Sequence, residues 1–117
     1  GLCPAGWHVP TDAEWTVLTD YLGGLDIAGG KMKSLEYWYA PNTGATNESD
    51  FSALPSSGRR YTYGNFENIG FNCNWWSSID SNTSEAIICY LHNLEGKAYI
   101  ANNANKRFGF SVRCIKD

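Results

Sequence analysis

CPAGWHVPTDAEW, residues 3–15, lies at the head of the chain, and GFSVRCIKD, residues 109–117, lies at its tail. Each carries one cysteine, Cys3 and Cys114, so the fold turns on whether these two segments meet. Within the first, Thr11-Asp12-Ala13-Glu14 spells a capping box: the threonine hydroxyl accepts from the backbone N–H of Glu14, and the glutamate reaches back to the N–H of Thr11. Trp15, Leu18, Tyr21 and Leu22 follow at helical spacing, and Gly23-Gly24 supplies a stop. The pattern predicts a helix over 12–22. A second, shorter helix is expected from Asp26, as its cap, to Ser34. Gly29-Gly30 weakens it by roughly 1 kcal/mol per glycine relative to alanine. Their presence is expected to let the helix lie close against another element.

From Leu35 to Asn72 regular patterning is lost. Pro41, Pro55 and many small polar residues alternate with Tyr37, Trp38, Tyr39, Phe51, Leu54, Tyr61, Tyr63, Phe66 and Ile69. A disordered linker would lack such side chains, so this reads as a long ordered loop pinned to the body by aromatics. Long loops within compact domains are usually functional. Beyond it the signals turn to strands. FNCNWWSSI and EAIICYLHN flank the turn-rich DSNTS and read as an antiparallel hairpin. KAYIA is expected as a short third strand, NNANKRFG as a loop, and FGFSVRCI as a final strand with Phe108, Phe110, Val112 and Cys114 on one face.

The four cysteines form no C-x-x-C pair and have no histidine at zinc-ligand spacing, which favours two disulfides over a metal site. Cys73 and Cys89 are symmetric about Ser81, the middle of the hairpin turn. That spacing pairs them and leaves Cys3 with Cys114. A bridge closing about 110 residues stabilises by roughly 4–5 kcal/mol in the chain-entropy model. It also implies an oxidising, extracellular or cell-surface setting.

The totals agree with one α+β domain: 117 residues, 43% hydrophobic and 15% aromatic, enough for a packed core. A net charge of −3, with no basic run longer than Arg59-Arg60, argues against nucleic acid as a partner. No apolar run is long enough to be a membrane helix. A monomeric domain without a cofactor is expected.

CPAGWHVPTDAEW, AGGKMKS, PNTGATNESDFSALP, WWSS and GFSVRCIKD, in this order, resemble the Fibrobacter succinogenes major paralogous domain, found in surface proteins and lipoproteins of Bacteroidetes-type bacteria. The resemblance spans about Cys3 to Asp117. It implies a C-type lectin-like fold, distantly related to formylglycine-generating-enzyme domains: two N-terminal helices, a long loop, and small antiparallel sheets with the chain ends adjacent. Asp50 and Ser56-Ser57 depart from the family's glycines, and Cys73 and Cys89 look like additions to it.

Catalysis has little support. His8 follows Trp7 in the opening strand and reads as structural, because a catalytic histidine needs positioned partners. The formylglycine-generating relatives use reactive cysteines, whereas all four cysteines here have expected partners. Glu48 and Asp50 read as turn and solvation residues. The lectins' calcium triplet Glu-Pro-Asn is replaced by Ala40-Pro41-Asn42, which lacks the carboxylate, so no sugar-bridging calcium of that type is expected. A noncovalent binding surface is favoured. Its candidates are Asp80, Asn82, Tyr90, His92 and Asn93, then Tyr99, Asn102, Asn103, Asn105 and Lys106. Tyrosine gives large contact area at low entropy cost, and asparagine adapts its hydrogen bonds. Trp75 and Trp76 are expected to be structural. Some proteins of the lectin-like fold are diversified by retroelements at adenine-rich codons. An asparagine-rich stretch between WSS and GFSVR resembles such a variable face. The expected role is a ligand-binding or adhesion module for a protein or glycan; the alternative is a calcium-independent carbohydrate-binding module.

Overall fold

The computed structural model describes residues 1–117. The chain is a small α+β domain with two helices and three small antiparallel sheets. In order, the elements are β1 (Trp7–His8), α1 (Asp12–Tyr21), α2 (Leu25–Met32), β2 (Gly58–Arg59), β3 (Phe66–Glu67), β4 (Asn72–Asp80), β5 (Glu85–His92), β6 (Ala98–Asn105) and β7 (Ile115–Lys116). No helix is long and apolar enough to cross a membrane.

The head and the tail do meet. β1 pairs with β7, Trp7 opposite Lys116 and His8 opposite Ile115, and the Asp117 N–H donates to the Gly6 carbonyl. Cys3 and Cys114 form a disulfide with their Cα atoms 5.9 Å apart. His8 ties the same junction through its side chain: Nδ1 contacts Asp117 Oδ1 at 2.7 Å, and Nε2 contacts Glu14 Oε1 at 2.9 Å. Glu14 is also half of the capping box, which forms in full at the start of α1.

α2 begins one residue earlier than expected, and Gly24, not Asp26, is its N-cap. The helix ends at Met32, before Ser34, because the chain turns extended at Lys33. Gly29 and Gly30 are both buried. A Cβ on Gly29 would collide with the Lys97 carbonyl, and one on Gly30 with the Gly44 carbonyl. The glycines thus allow the close approach read from the sequence, and the Gly30 N–H donates to the Gly96 carbonyl at 2.8 Å.

The main sheet runs β4-β5-β6. α1 and α2 cover one of its faces. Cys73, Trp75, Cys89, Leu91 and Ala98 point into that core, where they meet Trp15, Leu22, Ala28 and Met32. Trp15 stacks on Trp75 at 5.7 Å, and Phe51 caps both rings. The whole of Lys33 is buried beside this core. Its Nζ donates to the carbonyls of Thr43, His92 and Glu95 at 2.8–2.9 Å, tying α2 to two loops.

Three expectations require correction. Cys73 and Cys89 are not bridged; both are free and buried. The register places Cys73 opposite Leu91 and Trp75 opposite Cys89. The thiols are therefore diagonal neighbours, whose Cα atoms lie about 7–8 Å apart, beyond ordinary disulfide reach. The symmetry about Ser81 misplaces the turn, since Asn82 organises it: its Oδ1 accepts from the N–H groups of Ser84 and Glu85. Next, β6 continues through Asn105 and absorbs the asparagines assigned to a loop, whereas the final strand shrinks to Ile115–Lys116. Residues 109–111 run beside β4 without forming a regular strand: Trp75 bridges Ser111, and Gly109 bridges Arg59. Finally, the long loop is ordered but is not held by most of its aromatics. Tyr37, Tyr39, Tyr63, Phe66 and Ile69 are exposed. Trp38, which donates to the Ala53 carbonyl, and Phe51 are the ring anchors. Within this loop Asp50, at a position expected to be glycine, has a left-handed φ of 56°.

Candidate functional site

Strand alternation sends Asn72, Asn74 and Trp76 of β4 away from the helices. On β5 their cross-strand partners are His92, Tyr90 and Ile88. On β6, Tyr99 stands opposite Tyr90, and Ala101 opposite Ile88. Between Ile88 and Ala86 the register slips: Asn102 and Asn103 together face the single residue Ile87. This bulge gives the edge strand a local twist.

Beyond β4 the surface continues through Phe108 and Phe110, then through Arg59 to the β2–β3 hairpin. Phe110 packs on Trp76 at 4.8 Å and lies parallel to Phe108 at 5.4 Å. Trp75 is core, as expected, whereas Trp76 is only half-covered, packed against Phe110. Tyr61 meets Phe108 edge-on, with the Arg107 guanidinium over the Tyr61 ring.

Tyr90 and Tyr99 stack face to face at 4.7 Å, and the His92 ring stands edge-on to both. The Tyr99 hydroxyl donates to Glu95 Oε2, which pushes its pKa up to about 12 and keeps the phenol neutral. Between these rings and the phenylalanines lies an open hollow of about 370 Å³. Asn72, Asn74, Asn103 and Asn105 stand around it, over small apolar residues including Ile88 and Ala101. Across Asn72, Asn74, Phe108 and Phe110 a second hollow of about 200 Å³ reaches Arg60 and Glu67, which form an ion pair.

The sequence candidates separate accordingly. Tyr90, His92, Tyr99, Asn103 and Asn105 share this face. Asn93 is a correction: it is buried, its Nδ2 donates to the carbonyls of Tyr39 and Ala40, and its own carbonyl accepts from Thr43. It holds the long loop to β5. Asn82 is spent on the hairpin turn, where its Nδ2 also donates to Glu85. Asp80 and Lys106 pair with each other at 2.8 Å, beside a different, largely apolar hollow that includes Leu2, Val9 and Val112. Asn102 is exposed on the bulge but does not line the hollow. Asn72, Asn74, Phe108 and Phe110 were missed as site residues. The alternation that puts Cys73 and Trp75 in the core could have found the two asparagines; the phenylalanines depend on the irregular tail.

Elsewhere the reactive groups are committed or shielded. Burial pushes the Cys73 thiol well above its ordinary value and Cys89 to about 12. Glu48 accepts from the Thr46 hydroxyl, and the Asp50 N–H donates to the Asn47 carbonyl; both acids are turn residues.

The family model described as the Fibrobacter succinogenes major domain matches residues 1–116. No curated protein and no solved structure matches the chain.

Proposed function

The chain belongs to the Fibrobacter succinogenes major domain family, and from that premise we propose that it is a non-enzymatic ligand-binding module of C-type lectin-like fold. One observation carries the reading. Helices cover only one face of the β4-β5-β6 sheet, and the other gathers Tyr90, His92, Asn72, Asn74 and Asn103 around an open hollow, with Tyr99 stacked on Tyr90 beside it. A sheet needs only one packed face to be stable. Half-exposed rings and amides on the other are therefore available for recognition. The reading is non-enzymatic because the thiols are either bridged or buried in their neutral form, leaving no activated nucleophile beside the hollow.

The lectin-like assignment is supported by the paired chain ends, the two early helices and the long ordered loop. The Cys3–Cys114 disulfide supports a place outside the reducing cytosol, in an exported or surface-attached adhesion protein. A diversified version of the same face is a genomic proposal. A reverse-transcriptase gene and a near-repeat of the segment's DNA beside this gene would support it, and their absence would remove it.

The functional test is capture of surface proteins and glycans on the immobilised domain, compared with the variant Tyr90→Ala/His92→Ala/Tyr99→Ala. Loss of captured material from a variant that melts like the parent supports the reading. Unchanged capture contradicts it.

A further inference from the structure

We propose that the two hollows form one trough for a neutral oligosaccharide of at least two sugar units, bound without calcium; this rests on the ligand-binding reading above. Three observations select that chemistry. First, the larger hollow presents no lysine, arginine, aspartate or glutamate, and the smaller one contains only Arg60 and Glu67, which neutralise each other. No permanently charged side chain stands unpaired in the lining, and His92 is its one histidine.

Second, the side-chain amides of Asn72, Asn74 and Asn103, which line the trough, make no hydrogen bond within the protein. Asn72 Oδ1 is shielded from solvent, with no donor from the protein, so the carboxamide acceptors a ligand reaches are those of Asn74 and Asn103. A carboxamide offers a donor and an acceptor side by side, the pattern that two vicinal sugar hydroxyls match. Third, the polar groups stand between aromatic rings: Tyr90, backed by Tyr99, and His92 on one side, Phe108 and Phe110 on the other. The electron-rich ring faces attract the polarised C–H groups of a pyranose. The two hollows share four residues, Asn72, Asn74, Phe108 and Phe110. A ligand filling the first hollow therefore continues over the phenylalanines toward Arg60 and Glu67, whose polar edges suit a second unit's hydroxyls.

The test is an array of neutral and acidic oligosaccharides probed in EDTA, followed by calorimetric titration of the retained neutral compounds and their monosaccharides. The inference expects retention of neutral oligosaccharides with EDTA present, and affinity at least about tenfold above that of the monosaccharide. Asn74→Ala and Asn103→Ala should each weaken binding about tenfold or more while leaving the melting temperature unchanged. Phe108→Ala should abolish the advantage of the longer ligand. Retention of acidic glycans alone, loss of binding in EDTA, indifference to the asparagine variants, or no neutral glycan retained would each overturn it. If no neutral glycan binds but a captured protein is lost with the Tyr90, His92 and Tyr99 substitutions, this inference falls and the ligand-binding reading stands. If those substitutions also leave capture unchanged, both fall.

Discussion

His8 and Lys33 show how single residues hold the two parts of the platform. His8 has its pKa raised, chiefly by its hydrogen bond to Asp117 and then by that to Glu14. Glu14 is lowered, first by the Thr11 backbone N–H and then by His8. The signs fix the pH window. The histidine's contribution is complete below its unfolded value of 6.5 and fades as pH rises through the higher folded value. The glutamate's is present above 4.5 and fades as pH falls through its lower folded value. His8→Gln should therefore lower the melting temperature at about pH 5.5, and the difference should shrink toward about pH 9. A difference independent of pH would contradict the ion-pair account. Lys33 acts differently. Burial pushes its pKa down to about 8, so at neutral pH it remains protonated with three carbonyl acceptors. Lys33→Met leaves those carbonyls without their donor and should cost roughly 2–5 kcal/mol in urea unfolding.

At the scale of elements, α2 is governed by contact more than by propensity. Gly29→Ala would gain about 1 kcal/mol of helix propensity, yet its methyl meets the Lys97 carbonyl. Overpacking of this kind costs about 1–3 kcal/mol or more, so urea unfolding should show a net loss. The hairpin register makes a second prediction. Natively produced protein should show no reactive thiol before denaturation and two, Cys73 and Cys89, after it without reductant. Alkylation followed by mass spectrometry checks this, and finding no thiol after denaturation would restore the second bridge. Local signals explain what was legible here. The Thr11–Glu14 box, the β4–β5 hairpin and the Gly29-Gly30 approach are written in neighbouring residues. The register was misread because Cys73 and Cys89 look symmetric about Ser81, whereas Asn82's hydrogen bonds set the turn. The end of β6 was missed because a bulge at Asn102–Asn103 interrupts the apolar alternation. On the candidate face, Tyr90, His92 and Tyr99 were readable, but Asn93 was not distinguishable from them until its loop contacts were known.

For the molecule as a whole, the Cys3–Cys114 bridge spans 111 positions and locks β1 against β7. Cys3→Ser/Cys114→Ser should lose roughly 2–5 kcal/mol in chemical unfolding, with the β4-β5-β6 sheet retained if folding persists. The closed ends, α1 and α2 form the support. The outward face of the sheet, continued by the tail and the β2–β3 hairpin, is the surface we propose for recognition. The measurement closest to that claim is equilibrium binding of material captured from surface proteins and glycans, comparing the parent domain with Tyr90→Ala/His92→Ala/Tyr99→Ala at matched thermal stability. The account predicts that affinity falls about tenfold or more, as expected when central aromatic contacts are removed. Equal affinity in the two proteins would contradict it.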